Sequence, residues 1–425
     1  MRRHLSTVSK HVPSRGVYPL GFLVASTTAG LKKTTAPDMA LVVSDRDCAG
    51  AAVFTRNAFA AAPVLMGREV IKTSGDAMRA VLVNAGCANA CTGAQGIADT
   101  RTAIAKTAAS LGLKSTGSTL MLSTGVIGVP LKMDRIEKGI DALSASVTKA
   151  STASHEDWLA AATAIMTTDT FPKLRSKEFS VNGKAYRIAG WSKGAGMIHP
   201  NMATMLAGIF TDAAVSKPCL QAALSHAVER SFNAISVDGD TSTNDTLVVL
   251  ANGAAGTKLI DDVKSPEFAQ FQDNLTEFAA ELAGLVVRDG EGATKFLDIQ
   301  IENARTFEEG KAVATAIAKS PLVKTAMFGQ DANWGRIVCA VGYSGVDIEP
   351  TKVNLWMESK NEIVHLFKDG APHQVFDQAD KDKAKRILAG EDIVIRVNLG
   401  LGKVKAQMFT CDLSFDYVKI NIDYT

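Results

Sequence analysis

The sequence predicts an α/β protein whose mixed sheets are flanked by helices, and three observations carry that prediction. Short apolar runs bounded by turn residues, such as Met39 to Val43, Ala51 to Thr55 and Ala80 to Asn84, have the length of strands. Ile136, Ile140, Leu143 and Val147 fall at helical spacing and place one apolar stripe against a core. Strand-like and helix-like segments then alternate to the end of the chain, with no repeat at a solenoid period and no low-complexity linker. At ~100 to 200 residues per domain, the 425 residues predict at least two domains.

Taken in order, Gly30 to Asp38 is rich in turn formers and precedes the first strands. Thr102 to Leu111 reads as a helix stopped by Gly112, because glycine accepts the left-handed cap at no steric cost. Thr119 to Leu122 reads as a strand that runs into Ser123-Thr124-Gly125. In Phe179 to Ile188, Asn182-Gly183 sits between alternating residues, which predicts a hairpin with positive φ at its turn. Leu206 to Phe210 is an apolar run with the look of a buried strand. Ser265-Pro266 combines a cap with a first-turn proline, and Phe268, Phe271, Leu275, Phe278 and Leu282 follow at helical spacing as core. Leu297, Ile299 and Ile301 alternate with polar residues as in a strand with one buried face. A helix near Lys381 to Leu388, a strand from Ile393 to Asn398 and a last strand ending at Asn421 close the chain.

Composition excludes several classes. Lys+Arg 46 against Asp+Glu 44 gives a formal net charge of +2, without the basic excess of a general nucleic-acid binder. Runs such as Leu247 to Ala251 and Leu282 to Val287 fall far short of the ~18 apolar residues of a membrane span. Cys48, Cys87, Cys91, Cys219, Cys339 and Cys411 are scattered, and no second close pair joins Cys87 and Cys91 in a zinc site, so no metal or cofactor is expected. Buried free thiols in a reducing compartment are the expectation. Before the first acidic residue, Asp38, the chain carries Arg2, Arg3, Lys10 and Arg15 among Ser6, Thr7, Ser9 and Ser14. An acid-free, Arg- and Ser-containing start reads as a transit peptide over residues 1–15, mitochondrial by its shortness.

The chemistry concentrates in Lys193 to Phe210, a Gly-rich loop that passes through His199-Pro200 into the apolar strand, with Ala203-Thr204 at the junction. A threonine placed there, after a small residue, could become an N-terminal nucleophile through self-cleavage. Its freed α-amine, with an ordinary pKa of ~7.7 to 8, would then serve as the base for its own hydroxyl.

The words around that junction are similar to a known family. Lys193 to Leu206 resembles the KGAGM…P.mATML block of the ornithine acetyltransferases, bifunctional arginine-biosynthesis enzymes that also act as glutamate N-acetyltransferases. Pro19-Leu20-Gly21-Phe22, Phe54-Thr55-Arg56-Asn57, Ala61-Ala62-Pro63-Val64 and Asn89-Ala90-Cys91-Thr92-Gly93 follow the family order. So do Ser123-Thr124-Gly125-Val126-Ile127-Gly128, Thr167-Thr168-Asp169-Thr170 and Ser236 to Asp245. Arg288 to Lys295, Asp331 to Ile337 and Tyr417 to Asn421 complete a set that spans nearly the whole chain after the leader.

The resemblance implies a layered sandwich of the type shared with N-terminal-nucleophile aminopeptidases. It also implies cleavage between Ala203 and Thr204 into an α chain, 16–203, and a β chain, 204–425. The two chains would share the main catalytic domain, with a smaller domain from the C-terminal part. Thr204 would carry acetyl from N-acetylornithine to glutamate, with Thr124 and Gly125 as the oxyanion hole. Substrate contacts implied are Thr167, Lys193, Thr204, Glu291 and Asn421, with Thr425 in place of a Ser or Thr that the family sets five residues after the Asn. Two α and two β chains, acetyl-CoA as a second donor in some members, and no bound cofactor complete the implied picture. Cys87 departs from the family's usual Gly-Asn-Ala-Asn, standing where its first Asn would be. Asp240, Asp245 and Asp331 read as loop-organising carboxylates, and His199 receives no role. Two alternatives stand beside this reading: an aminopeptidase or amidase that passes the acyl group to water, and an inactive scaffold homologue.

Overall fold

The structure, a computed structural model, describes residues 9–199, 205–373 and 377–422. It divides into two units, each built on its own mixed sheet. The first takes Met1–Gly194, Pro200–Asn233 and Thr241–Val286, and the second takes Ala195–His199, Ala234–Asp240 and Val287–Thr425.

The first unit contains β1 (Phe22–Thr27), β2 (Met39–Phe54), α1 (Ala62–Ser74), β3 (Met78–Cys87), α2 (Gly93–Ser110), β4 (Thr119–Val126), α3 (Met133–Lys149) and α4 (His155–Ala164). β5 (Lys173–Val181), β6 (Lys184–Lys193), β7 (Leu206–Thr211) and α5 (Lys217–Glu229) follow. After β8 (Ile235–Ser236), which belongs to the second unit, come β9 (Thr246–Ala251) and α6 (Pro266–Arg288). The strand order is β4-β3-β2-β9-β7-β6-β5, with β1 on β2. β3 and β4 are parallel, as are β7 and β9, and the helices α2 and α5 make the crossovers that parallel pairs need. Every residue of β7 and β9 is buried, which explains why their sequences are continuous apolar runs rather than alternations.

Met39 to Val43 and Ala51 to Thr55 belong to one strand and not to two. β2 pairs with β3 up to Val43↔Ala80, shifts register before Cys48↔Met78, and then pairs with β9 from Ala49↔Ala251. The exposed Asp45, Arg46 and Asp47 mark the irregularity, so the polar break in the sequence is a bulge that turns the strand from one partner to the next. The hairpin at Asn182-Gly183 forms as its sequence predicts, with φ of 50° and 73° and Val181 paired to Lys184. Ser265 Oγ accepts the Phe268 N–H at 3.1 Å and caps α6, whose Phe271, Leu275, Phe278 and Leu282 are fully buried.

The second unit adds β10 (Phe296–Ala304), α7 (Phe307–Lys319), α8 (Pro321–Phe328), α9 (Trp334–Gly342), β11 (Asn354–Glu358), β12 (Ile363–Lys368) and β13 (Ala371–Pro372). α10 (Gln378–Ala389), β14 (Asp392–Asn398), β15 (Val404–Cys411) and α11 (Phe415–Ile422) complete it. Its order is β13-β12-β11-β14-β10-β15-β8. Leu297, Ile299 and Ile301 of β10 are wholly buried in one core with Val313, Ala314 and Ile317 of α7. Each large aliphatic side chain there contributes roughly 1.5 to 3 kcal/mol by leaving water.

The expected last strand is a helix. Strand alternation requires every second side chain to be buried, yet Phe415, Val418 and Ile422 of α11 are all exposed. Tyr417 and Asn421 are four residues apart, and Asn421 Nδ2 donates to the Tyr417 carbonyl at 3.0 Å, a reach that one helical turn allows and an extended strand does not. The cysteines are free thiols, with Cys48, Cys87, Cys219 and Cys411 buried but Cys91 and Cys339 exposed, against the expectation of burial for all. Among the described residues no helix is long and apolar enough to cross a membrane, and no group of three or more His, Cys, Asp or Glu gathers as a metal site would.

Candidate active site

In the first unit, chemistry gathers at the ends of β4 and β6. Thr124 lies near the end of β4, buried, beside the parallel β3. Gly125 follows with φ +130°, and a Cβ built on it would stand 2.3 Å from the Gly86 carbonyl carbon, so the position admits glycine alone. Asn244 ties the two strand ends together, donating to the Ser123 carbonyl at 2.8 Å and to the Ala88 carbonyl at 2.5 Å. Ser123 Oγ donates to Asn84 Oδ1 at 2.6 Å, and Asn84 Nδ2 donates to the Cys87 carbonyl at 3.0 Å. Cys87 thus meets this cluster through its backbone carbonyl. Its thiol, pushed up by burial, donates to the Val129 carbonyl at 3.0 Å.

Lys193 ends β6, pairs with Leu206 across β7, and brings its Nζ 3.3 Å from Thr124 Oγ1. Behind it lies Asp169, within Thr167-Thr168-Asp169-Thr170, a residue that nothing in the sequence alone marks for a role. Its side chain is wholly buried and ion-paired with the equally buried Lys173. It also accepts the Thr167 N–H at 2.9 Å and the Gly194 N–H at 2.7 Å. Burial alone would raise its pKa, but the Lys173 and Lys193 ammonium groups and the Gly194 N–H outweigh that and hold it well below the usual carboxylate range. One carboxylate thus fixes both Thr167 and the Lys193-Gly194 backbone.

Two further groups carry charge into this region. Lys32, whose Nζ donates to the Pro37 and Ala164 carbonyls at 2.8 and 2.9 Å, is pulled down to about 8 by burial, opposed by Asp38 and Asp169 and assisted by Lys193. Asp245 is buried, with no hydrogen-bond partner for Oδ2 among the described residues. Burial pushes its carboxyl well up, against Ser242 and the Lys193 ammonium. Its neighbour Thr246 donates its N–H to the Met205 carbonyl at 2.9 Å, which sets Asp245 at the start of β9 opposite the start of β7.

In the second unit, Glu291 is buried and accepts from Asn421 Nδ2 at 2.7 Å. Its N–H donates to the Ala195 carbonyl at 2.8 Å, and a Cβ on Gly196 would fall 2.4 Å from its Oε2, so Gly196 is what lets the loop pass the carboxylate. Asp238 accepts the N–H groups of Met197 and Ile198, at 2.7 and 2.9 Å. His199 contacts Ser236 Oγ at 3.3 Å and is drawn down to about 4 by burial and by Lys319 and Lys311.

Of the residues singled out from sequence, Thr124, Gly125, Thr167 and Lys193 fall within the first unit, and Glu291 and Asn421 within the second. Ala203, Thr204 and Thr425 lie outside the described residues.

The ArgJ family pattern matches residues 23–425. The chain belongs to the ArgJ family. Among ArgJ relatives, the mitochondrial arginine biosynthesis bifunctional protein of Schizosaccharomyces japonicus is 48% identical over 433 residues, covering 100% of this chain and 97% of that protein. The protein of the same name from Yarrowia lipolytica is 50% identical over 421 residues, covering 98% of this chain and 96% of its own length. Among solved structures, the ArgJ bifunctional protein of Bacillus halodurans is 38% identical, covers 50% of this chain and 97% of that one, and superposes with a TM-score of 0.47.

Proposed function

We propose that the chain transfers acetyl from N2-acetyl-L-ornithine to L-glutamate through an acetyl-Thr204 intermediate, releasing L-ornithine and N-acetyl-L-glutamate. As an ArgJ family member it is a bifunctional acyltransferase of arginine biosynthesis. The observation that best supports the chemistry is the Lys193 ammonium 3.3 Å from the Thr124 hydroxyl, which sets a cation beside the pair assigned to the oxyanion. Each tetrahedral intermediate places negative charge on the former acetyl oxygen, and donors preorganised around it stabilise the transition state by ~3 to 4 kcal/mol apiece. A substrate α-carboxylate would pair with Lys193, while Thr167, Glu291, Asn421 and Thr425 would hydrogen-bond the amino-acid polar groups.

Maturation precedes transfer in this proposal. Thr204 Oγ attacks the Ala203 carbonyl carbon, the C–N bond breaks as the C–O bond forms, and the hydroxyl proton passes to the departing amine. Water then hydrolyses the ester, leaving a carboxylate on Ala203 and a free hydroxyl and α-amine on Thr204. The α-amine serves as base in both half-reactions. The products are the α chain, 16–203, and the β chain, 204–425, after a leader over 1–15 directs import into the mitochondrial matrix. Assembly of two α and two β chains, and acetyl-CoA as a second donor, extend the proposal.

Radiolabelled acetyl supplied on N-acetylornithine should appear on glutamate. Label released only as acetate would favour the amidase reading and sink the transferase. On a denaturing gel the purified protein should run as two chains and Thr204→Ala as one; an intact wild-type chain with full activity would overturn the maturation.

A further inference from the structure

We propose that Asp238 is a positioning residue for self-cleavage, holding the Ala195–His199 loop that leads to the bond after Ala203. This rests on the maturation reading above. Ala195 and Ile198 bury their side chains, but Met197 between them does not, and its conformation is held through the backbone. Met197 adopts φ +57°, a strained conformation for a non-glycine residue, yet its side chain is 45% exposed and gains little from burial. What holds it is Asp238, whose Oδ2 accepts the Met197 N–H at 2.7 Å and whose Oδ1 accepts the Ile198 N–H at 2.9 Å. Two successive N–H groups converging on one carboxylate around a left-handed residue form an anion nest, here filled by the protein's own side chain.

The carboxylate is itself fixed. The Asp240 N–H reaches Oδ1 at 3.2 Å, and the Tyr417 hydroxyl reaches Oδ2 at 3.2 Å. Around it, Val237 N–H donates to the Ile198 carbonyl at 2.7 Å and Glu291 N–H to the Ala195 carbonyl at 2.8 Å. Downstream of Thr204, the chain is fixed by other means, since Leu206 is already paired in β7. An acyl shift needs its hydroxyl and carbonyl in near-attack geometry, and loose approach costs orders of magnitude in rate. Asp238 supplies the upstream restraint.

The test is a time course of conversion from one chain to two, followed on denaturing gels after a pulse of expression. Asp238→Ala should slow conversion at least tenfold, and Asp238→Asn, which keeps one acceptor oxygen, should fall between it and wild type. Asp240→Asn removes the same charge two residues away and should convert at the wild-type rate. Conversion of both Asp238 variants at the wild-type rate overturns the inference, as does equal slowing in Asp240→Asn, which would make net charge the cause. Melting temperatures are compared in a Thr204→Ala background, and if Asp238→Ala does not fold there, Asp238→Asn decides alone. A wild-type chain that never converts sinks the maturation reading itself, an outcome separate from all of these.

Discussion

Asp169 and Lys173 form an ion pair in which neither side chain has any exposed surface. Such a pair is expensive to desolvate, and here the carboxylate also accepts the N–H groups of Thr167, proposed to touch substrate, and of Gly194, which follows Lys193. Asp169→Asn leaves the Lys173 charge buried without its carboxylate, which typically costs about 3 to 5 kcal/mol. Urea unfolding should show a loss of that size. In the folded fraction, kcat/KM should drop at least tenfold. Full activity at reduced stability would assign the pair to the fold alone.

Gly125 yields a sharper separation of fold from function. With φ +130° and a Cβ that would collide with Gly86, Gly125→Ala must move the end of β4 away from β3. The loss of one oxyanion donor lowers kcat by about a hundredfold to a thousandfold. Substrate affinity, set by other residues, should change much less. Steady-state kinetics decide this: a rise in KM with unchanged kcat would remove Gly125 from the oxyanion site.

These two residues mark what the sequence could and could not reveal. Gly125 stood out because a strand running into Ser-Thr-Gly has a recognisable form and belongs to an ordered set of family segments. Asp169 lay in a quoted segment too, but its meaning comes from Gly194, 25 residues onward, and sequence spacing carries no such contact. The α/β class was legible because core strands such as β7 and β9 are uninterrupted apolar runs. The bulge in β2 was not, since three polar residues in a row read as a loop whether or not the ladder resumes. At the C-terminus, the strand expected to end at Asn421 is a helix, whose Tyr417 and Asn421 reach Asp238 and Glu291.

His199 gives a pH prediction. Its pKa lies at about 4 in the fold against an ordinary value near 6.5, chiefly through burial and the Lys319 and Lys311 charges. Between those two pH values the unfolded chain binds more protons than the folded one, so stability rises with pH across the window. The neutral imidazole therefore contributes in full above pH ~6.5, and the contribution is lost as pH falls toward about 4. Thermal melts at pH 4, 5, 6 and 7 should show a shallower acid decline for His199→Gln than for wild type. Parallel declines would mean that the ring titrates alike in both states.

Asn421 is exposed yet aims its amide at the buried Glu291 carboxylate, 2.7 Å away. That contact orients Glu291 from outside, while Gly196, having no Cβ, leaves room for the carboxylate on the loop side. Hydrogen bonds to charged groups contribute about 1.5 to 3 kcal/mol, so Asn421→Ala should raise the KM for glutamate roughly tenfold to a hundredfold. The bond lost is internal to the protein and satisfies a buried carboxylate, so part of that energy should also show as a lower melting temperature. Asn421→Asp adds repulsion between two carboxylates and should weaken binding further. An Asn421→Asp variant with wild-type KM at pH 8 would show that the Glu291 carboxylate does not need this partner to meet substrate.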